Sequence, residues 1–371
     1  MSRIYSNGCR IEYPNELAYA GMPAIVRVSQ LDNAYIGVGI TIKVGENYYT
    51  ETRTPYNGEV VFDISRYMQT AFIGRSLSPQ YNSANETQGF MSRTQAEVSV
   101  VVSLTNVSGT MVNGISFVVN ALVGNMPIGR VNGGVRGRRW FANYPQTFDF
   151  YGNDSTSALL SIGNNSATIP IEHIGEDIKQ ISVDLSPYWG ITLGSAQFAE
   201  LTATDAVYLN GDVLNRGAQS AYRLTIDQCT SGVYLRWLDN FGQWCYYLFR
   251  TTGRNYATKE VQSWIDGVLR NELQPENDVY TGHSAQQLSQ QESISLGAKL
   301  VDAETFDFLL TLTNSPIVEV LTNATEYQAN NSITPLWERV SVAGGSYART
   351  GAPLQDFAVS IVRNAQTSQM L

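Results

Sequence analysis

The 371-residue sequence predicts a mainly β chain, with N-terminal β-sandwich domains followed by a C-terminal α+β domain. Three observations point there. Charged residues make up 15%, against about a quarter in average domains. Gly (31) and Tyr (21) are abundant, a profile that suits strands and turns. Apolar residues recur at period two, punctuated by turn dipeptides. The chain exceeds one ordinary domain, and its 43% apolar fraction is enough for several cores.

The elements follow in order. Ala24 to Ser29 alternates at period two, and Ile36, Val38, Ile40, Ile42 and Val44 share one face of the next strand. Glu59 to Ile64 and Glu97 to Asn106 are further strands, and Ser108-Gly109 returns the chain into Ile115–Val119. Residues 74–95 are polar, the signature of a long surface loop. A Gly/Arg-rich joint from Gly124 to Arg139 marks a boundary. It separates a β-sandwich over 1–125 from a second β-rich domain over 126–215, and the α+β domain takes 216–371. Val61-Phe62-Asp63-Ile64-Ser65-Arg66-Tyr67 recurs as Ser182-Val183-Asp184-Leu185-Ser186-Pro187-Tyr188, either a chance likeness or a duplication.

In the third region Val233–Leu238 and Gln243–Phe249 form an aromatic hairpin around Asp239-Asn240-Phe241-Gly242. Val261, Trp264, Ile265, Val268 and Leu269 have the spacing of one helical stripe, predicting a helix over Thr258 to Leu273. Residues 282–291 read as a polar connector, and Ile294, Leu296, Ala298 and Leu300 as one strand face. Asp302 caps a helix carrying Phe306, Leu309 and Leu310, which Asn314 and Pro316 stop. Strands near Ile317–Leu321, Trp337–Val342 and Asp356–Val362 complete the domain.

Charge and composition exclude several functions. The net charge is −9, and a strongly acidic chain repels phosphate, which argues against nucleic-acid binding. Two histidines, His173 and His283, and three cysteines leave no zinc set, and no calcium loop is visible, so no metal or cofactor is expected. Register places Cys245 away from Cys229, so the cysteines read as reduced and packed. The Gly133–Arg139 stretch lacks the Gly-Lys-Ser/Thr ending of a phosphate loop. No nucleophile elbow marks a hydrolase, and Glu176-Asp177 reads as a solvated turn. The expectation is a protein that is not an enzyme. The N-terminus has no apolar core of a secretory signal, and the longest apolar run, Val98 to Leu104, is too short to span a bilayer. Synthesis in the cytoplasm without membrane insertion follows.

The aromatic hairpin is the conspicuous feature. Tyr234, Trp237, Trp244, Tyr246, Tyr247 and Phe249 serve either as core or subunit interface or as a stacking platform for a ligand. Its sequence, Val233-Tyr234-Leu235-Arg236-Trp237-Leu238 and, after the turn, Trp244-Cys245-Tyr246-Tyr247-Leu248-Phe249, resembles a hairpin in tail-region structural proteins of phages and prophages of Bacteroides-type bacteria. Arg139–Thr147 and Trp337–Val342 are similar to segments of such proteins. The resemblance covers 215–371. It implies a structural component of a tailed-phage virion, a distal tail or baseplate protein between tail tube and tail tip. Such a protein forms a six-fold or three-fold homo-oligomer and contacts tube and hub proteins. Lysis would release it from the host cytoplasm without a signal peptide. Arg136, Arg138 and Arg139 are then candidates for pairing with acidic groups across a domain or subunit boundary. The alternative is a module that binds a bacterial surface glycan through loop 74–95 or the aromatic hairpin.

Overall fold

A computed structural model describes the chain apart from residues 15–16, 82–88, 126–134, 142–143, 153–156, 163–164, 171–178, 187–191, 194–195, 198–206, 212–220, 266–282, 346, 364–365 and 370–371. The protein is mainly β, as expected. It divides into two units. One holds 1–230, 237–246 and 323–335, and the other holds 231–236, 247–322 and 336–371.

The first unit begins with a sandwich. One sheet orders the strands Ser2–Ser6, Cys9–Tyr13, Ile25–Ser29 and Val60–Asp63. The facing sheet runs Leu17–Tyr19, Met111–Leu122, Gln95–Asn106, Tyr35–Val44 and Asn47–Arg53, with only the first pair parallel. Val26, Val28 and Phe62 from one sheet meet Val38, Ile40, Ile42, Val98, Val100 and Val102 from the other, all fully buried. Period-two alternation creates this face. Ile36 departs from the expected stripe. A register shift between Tyr35 and Gly37 turns its side chain outward, to 50% exposure.

A second sandwich repeats the first. Val135–Phe141 runs parallel to Ala221–Asp227, and the sheet continues through Val207–Gly211, Ser157–Ile162 and Asn165–Pro170. Thr147–Gly152 and Lys179–Asp184 form the facing sheet, with Gly89–Met91 at its edge. Part of the expected 74–95 loop is therefore a strand. The register also repeats. Ile25 pairs with Asp63 and Ile64 N donates to Ala24 O, just as Thr147 pairs with Asp184 and Leu185 N donates to Gln146 O. Asp63 Oδ1 accepts from Ser65 N at 3.0 Å, and Asp184 Oδ1 from Ser186 N at 2.9 Å. The short sequence echo thus marks equivalent places in two copies of one topology. In both copies Asp supplies the turn-forming acceptor.

The second unit is built on a closed barrel. Trp244–Ile265, Val233–Leu238, Val318–Leu321, Trp337–Val342, Gln355–Arg363 and His283–Val301 follow in order, and the last pairs back to the first. Gln366–Gln369 adds to His283–Val301. Closure removes the open sheet edges. Two sequence readings are corrected. Residues 258–265, expected to open a helix, continue the strand Trp244–Ile265, and residues 266–273 lie outside the described residues. The polar 283–291 stretch is strand, paired with 257–265. Leu300, expected inward, is 67% exposed with φ +52, because the register shift between Ala298 and Val301 hands the inward position to Val301. The Asp302 cap holds as read, its carboxylate accepting from Thr305 N at 2.7 Å ahead of the helix Ala303–Leu310.

Candidate functional site

The aromatic hairpin is buried throughout. Trp237 and Phe249 are 0% exposed, Tyr234 1%, Tyr246 3%, and Trp244 and Tyr247 5%. A stacking platform needs exposed ring faces, and these residues present none. Within the second unit, Arg236 is buried, at 1% exposure. It pairs with Glu319 at 2.6 Å, and its guanidinium lies 4.2 Å from the centre of the Trp337 ring.

The hairpin tip, 237–246, belongs to the first unit. The sequence makes its turn tight. Asp239 Oδ1 accepts from Phe241 N at 2.8 Å and Gln243 N at 2.9 Å, and Gly242 adopts φ +70. The tip lies against both sandwiches. Asn125 N donates to Asn240 O at 3.1 Å, and Gln180 Nε2 donates to Gly242 O at 3.0 Å. The Trp244 indole donates to Leu77 O at 2.9 Å. Tyr246 Oη lies 2.7 Å from Thr147 Oγ1 and 3.1 Å from Tyr81 Oη.

Beneath the tip lies a buried polar seat. Asp149 and Ser182 face each other across two strands, and Gln180 lies two residues along on the same face. Their exposures are 2%, 4% and 0%. Trp244 N donates to Asp149 Oδ2 at 2.8 Å. Gln180 N donates to Gln95 Oε1 at 2.6 Å, and Gln180 Nε2 also reaches Thr94 Oγ1 at 3.2 Å. Burial pushes the Asp149 carboxyl up to about 7, against the hydrogen bond from the Trp244 amide.

Beside the seat a groove of about 700 Å³ is lined by Tyr81, Phe90, Arg93, Asp184, Ser186 and Tyr327, among others. Burial raises the Tyr327 phenol, with Asp184 nearby. Two residues of the expected polar loop, Tyr81 and Phe90, supply its aromatic wall.

The remaining candidates fall apart spatially. Arg139 Nη1 pairs with Asp227 at 3.0 Å, inside the second sandwich between its parallel strands. Arg138 Nη1 donates to Gly137 O at 2.8 Å. Arg136 lies in the strand Val135–Phe141, and its side chain is outside the described residues. His173 and Glu176-Asp177 are outside them too, and His283 is placed only as a strand residue. Cys9, Cys229 and Cys245 form no disulfide. Among the described residues no group of three or more His, Cys, Asp or Glu side chains could hold a metal ion, and no helix is long and apolar enough to cross a membrane.

Sequence reasoning missed the polar seat. Its signal was Gln180, Ser182 and Asp184 alternating with Ile181, Val183 and Leu185, which reads as one wet and one dry face. Both faces are dry.

No family model matches the chain, and no curated protein matches it. Among solved structures, an I-band fragment from titin aligns over 79% of this chain and 94% of its own length, at 8% identity and a TM-score of 0.17, too low to bear on fold or function.

Proposed function

We propose that this chain is a structural component of a tailed-phage virion, a distal tail or baseplate protein that works through its surfaces rather than through catalysis. The observation that supports this reading best is the burial of all six hairpin aromatics, because the segment carrying the sequence resemblance is then scaffold. Two sandwiches and a barrel offer β surfaces for repeated contacts. Identical heterologous contacts close into rings without a free end, so the protein forms a six-fold or three-fold ring with itself and contacts tube and hub proteins. Labelled antibody or density in intact particles tests this. A ring of copies at the tail tip is expected, whereas a single copy, or absence from virions, rejects it.

The groove favours a second reading, recognition of a bacterial surface glycan. Tyr81 and Phe90 beside Asp184 and Arg93 combine aromatic surface with polar and charged groups, the chemistry that recognises a sugar ring. Glycan-array binding lost in Tyr81→Ala would support it, and an array without hits rejects it.

A further inference from the structure

The polar seat buries an acid, and no cation is among the groups that shift it. Asp149 Oδ1, Gln180 Oε1 and Ser182 Oγ are buried without a well-formed hydrogen bond, and so is the donor Gln95 Nε2, whose amide oxygen accepts from Gln180 N. Gln180 cannot turn its amide round without cost, since Nε2 already donates to Thr94 and Gly242. The Ser182 and Gln180 side chains reach the Asp149 carboxyl as donors and hold its value down, against the larger effect of burial. The other groups facing it are Asp239 from the hairpin tip, a second acid that raises it further, and the Trp244 amide. From the facing sheet the Tyr222 hydroxyl donates to the Asp149 carbonyl at 2.8 Å, and so leaves the carboxyl alone.

The duplication supplies a control within the same chain. By register, Arg27, Val61 and Glu59 of the first sandwich stand where Asp149, Ser182 and Gln180 stand in the second. There Arg27 and Glu59 form a solvated ion pair at 3.1 Å, with side chains 48% and 41% exposed. The second copy has covered these positions and replaced the cation by an acid. A buried carboxylate without a cation is costly. One proton resolves it. A neutral carboxyl keeps Oδ2 as acceptor for Trp244 N and gains an O–H to donate within the seat, while the Ser182 hydroxyl rotates to suit.

We propose that Asp149 is a proton-operated latch: the neutral acid seats the hairpin tip 237–246 on the second sandwich, and loss of its proton loosens the tip. The sign follows from linkage. An acid whose seated value lies near 7 and whose unseated value is the ordinary one near 4 contributes stability that is full below about pH 4. That contribution is lost as pH rises through about 7. A bound cation is the competing way to satisfy the seat's oxygens, and it predicts a variant tip already open at pH 5.

The test is hydrogen exchange of the full-length protein over 237–246, corrected for intrinsic pH dependence, with wild type and Asp149→Asn side by side. Asn reproduces the donor and acceptor of the neutral acid. In wild type, tip opening should rise by roughly one to two orders of magnitude between pH 5 and 8 and then level off. In Asp149→Asn it should stay flat at the low-pH level. Identical pH profiles, or a variant tip already open at pH 5, would overturn the latch. Should the variant fail to fold, infrared difference spectra of wild type decide. A protonated-carboxyl stretch at pH 5 that disappears by pH 8 supports the proposal, and its absence at pH 5 sinks it.

Discussion

Gly242→Ala should unseat the hairpin tip, and the cost can be worked from geometry. Gly242 sits at φ +70, where a side chain costs about 1–2 kcal/mol. That is the smaller part. A Cβ there would lie 2.0 Å from Val123 O and 3.0 Å from its carbonyl carbon. Both are main-chain atoms of a paired strand end, since Val123 N donates to Thr94 O at 2.9 Å. They cannot rotate away as a flexible side chain would, so the tip must lift. Lifting breaks the bonds from Gln180 Nε2 to Gly242 O and from Asn125 N to Asn240 O. Overpacking of this kind costs typically 1–3 kcal/mol, for a total of about 3 kcal/mol. Gly45→Ala isolates the backbone part. Gly45 has φ +56 with nothing within 4 Å of its added Cβ, so about 1 kcal/mol is expected there. A chain of several domains does not unfold in one step, so the readout is local: hydrogen-exchange opening free energies over 237–246 for the first variant and over 44–47 for the second. If the two substitutions cost the same within about 0.5 kcal/mol, the close approach of tip and strand end is not real and the seat described above is wrong.

Trp237→Ala and Trp244→Ala should each cost roughly 3–5 kcal/mol, because both rings are buried; melting curves unchanged in both variants would return the hairpin to the platform reading. Arg236→Ala should cost about 3–5 kcal/mol by leaving Glu319 without its buried partner, and Arg236→Met combined with Glu319→Leu should recover most of it in denaturant titrations; no recovery would mean that the pair contributes more than its own charges. EDTA should leave the melting temperature unchanged, since no metal-ligand group occurs among the described residues; a drop of several degrees restored by calcium would reveal an oxygen-ligand site.

Much of the β architecture was legible because alternation survives wherever strands run without interruption. Trp337–Val342 matches the sequence reading to the residue, and the Tyr35–Val44 stripe fails only at Ile36. The failures share a cause. At Ile36, at Leu300 and in 258–265 the ladder contains register shifts. Each shift inserts a residue and moves the pattern by one position, so a period-two strand shows apolar residues three apart. Shifts between Glu260 and Gln262 and between Gln262 and Ser263 lie within the segment where Val261, Trp264 and Ile265 imitate a helix. Periodicity alone has no means of separating the two cases.

The seat was illegible for a different reason. Whether a polar strand face meets water depends on what the rest of the chain lays over it, and here the cover comes from a hairpin some 60 residues further on, with Gln180 bonded to Gly242. The two sandwiches make the point within one sequence. Asp63 and Asp184 hold the same place in the same turn, yet Asp63 is exposed and Asp184 is 2% exposed. Arg27 and Asp149 hold the same place on the same strand, one solvated and paired, the other buried. Local sequence dictates the turn and the strand in both copies. The covering segment and the exchange of Arg for Asp together separate a surface ion pair from a buried acid, and they make position 149 a group whose burial raises its carboxyl.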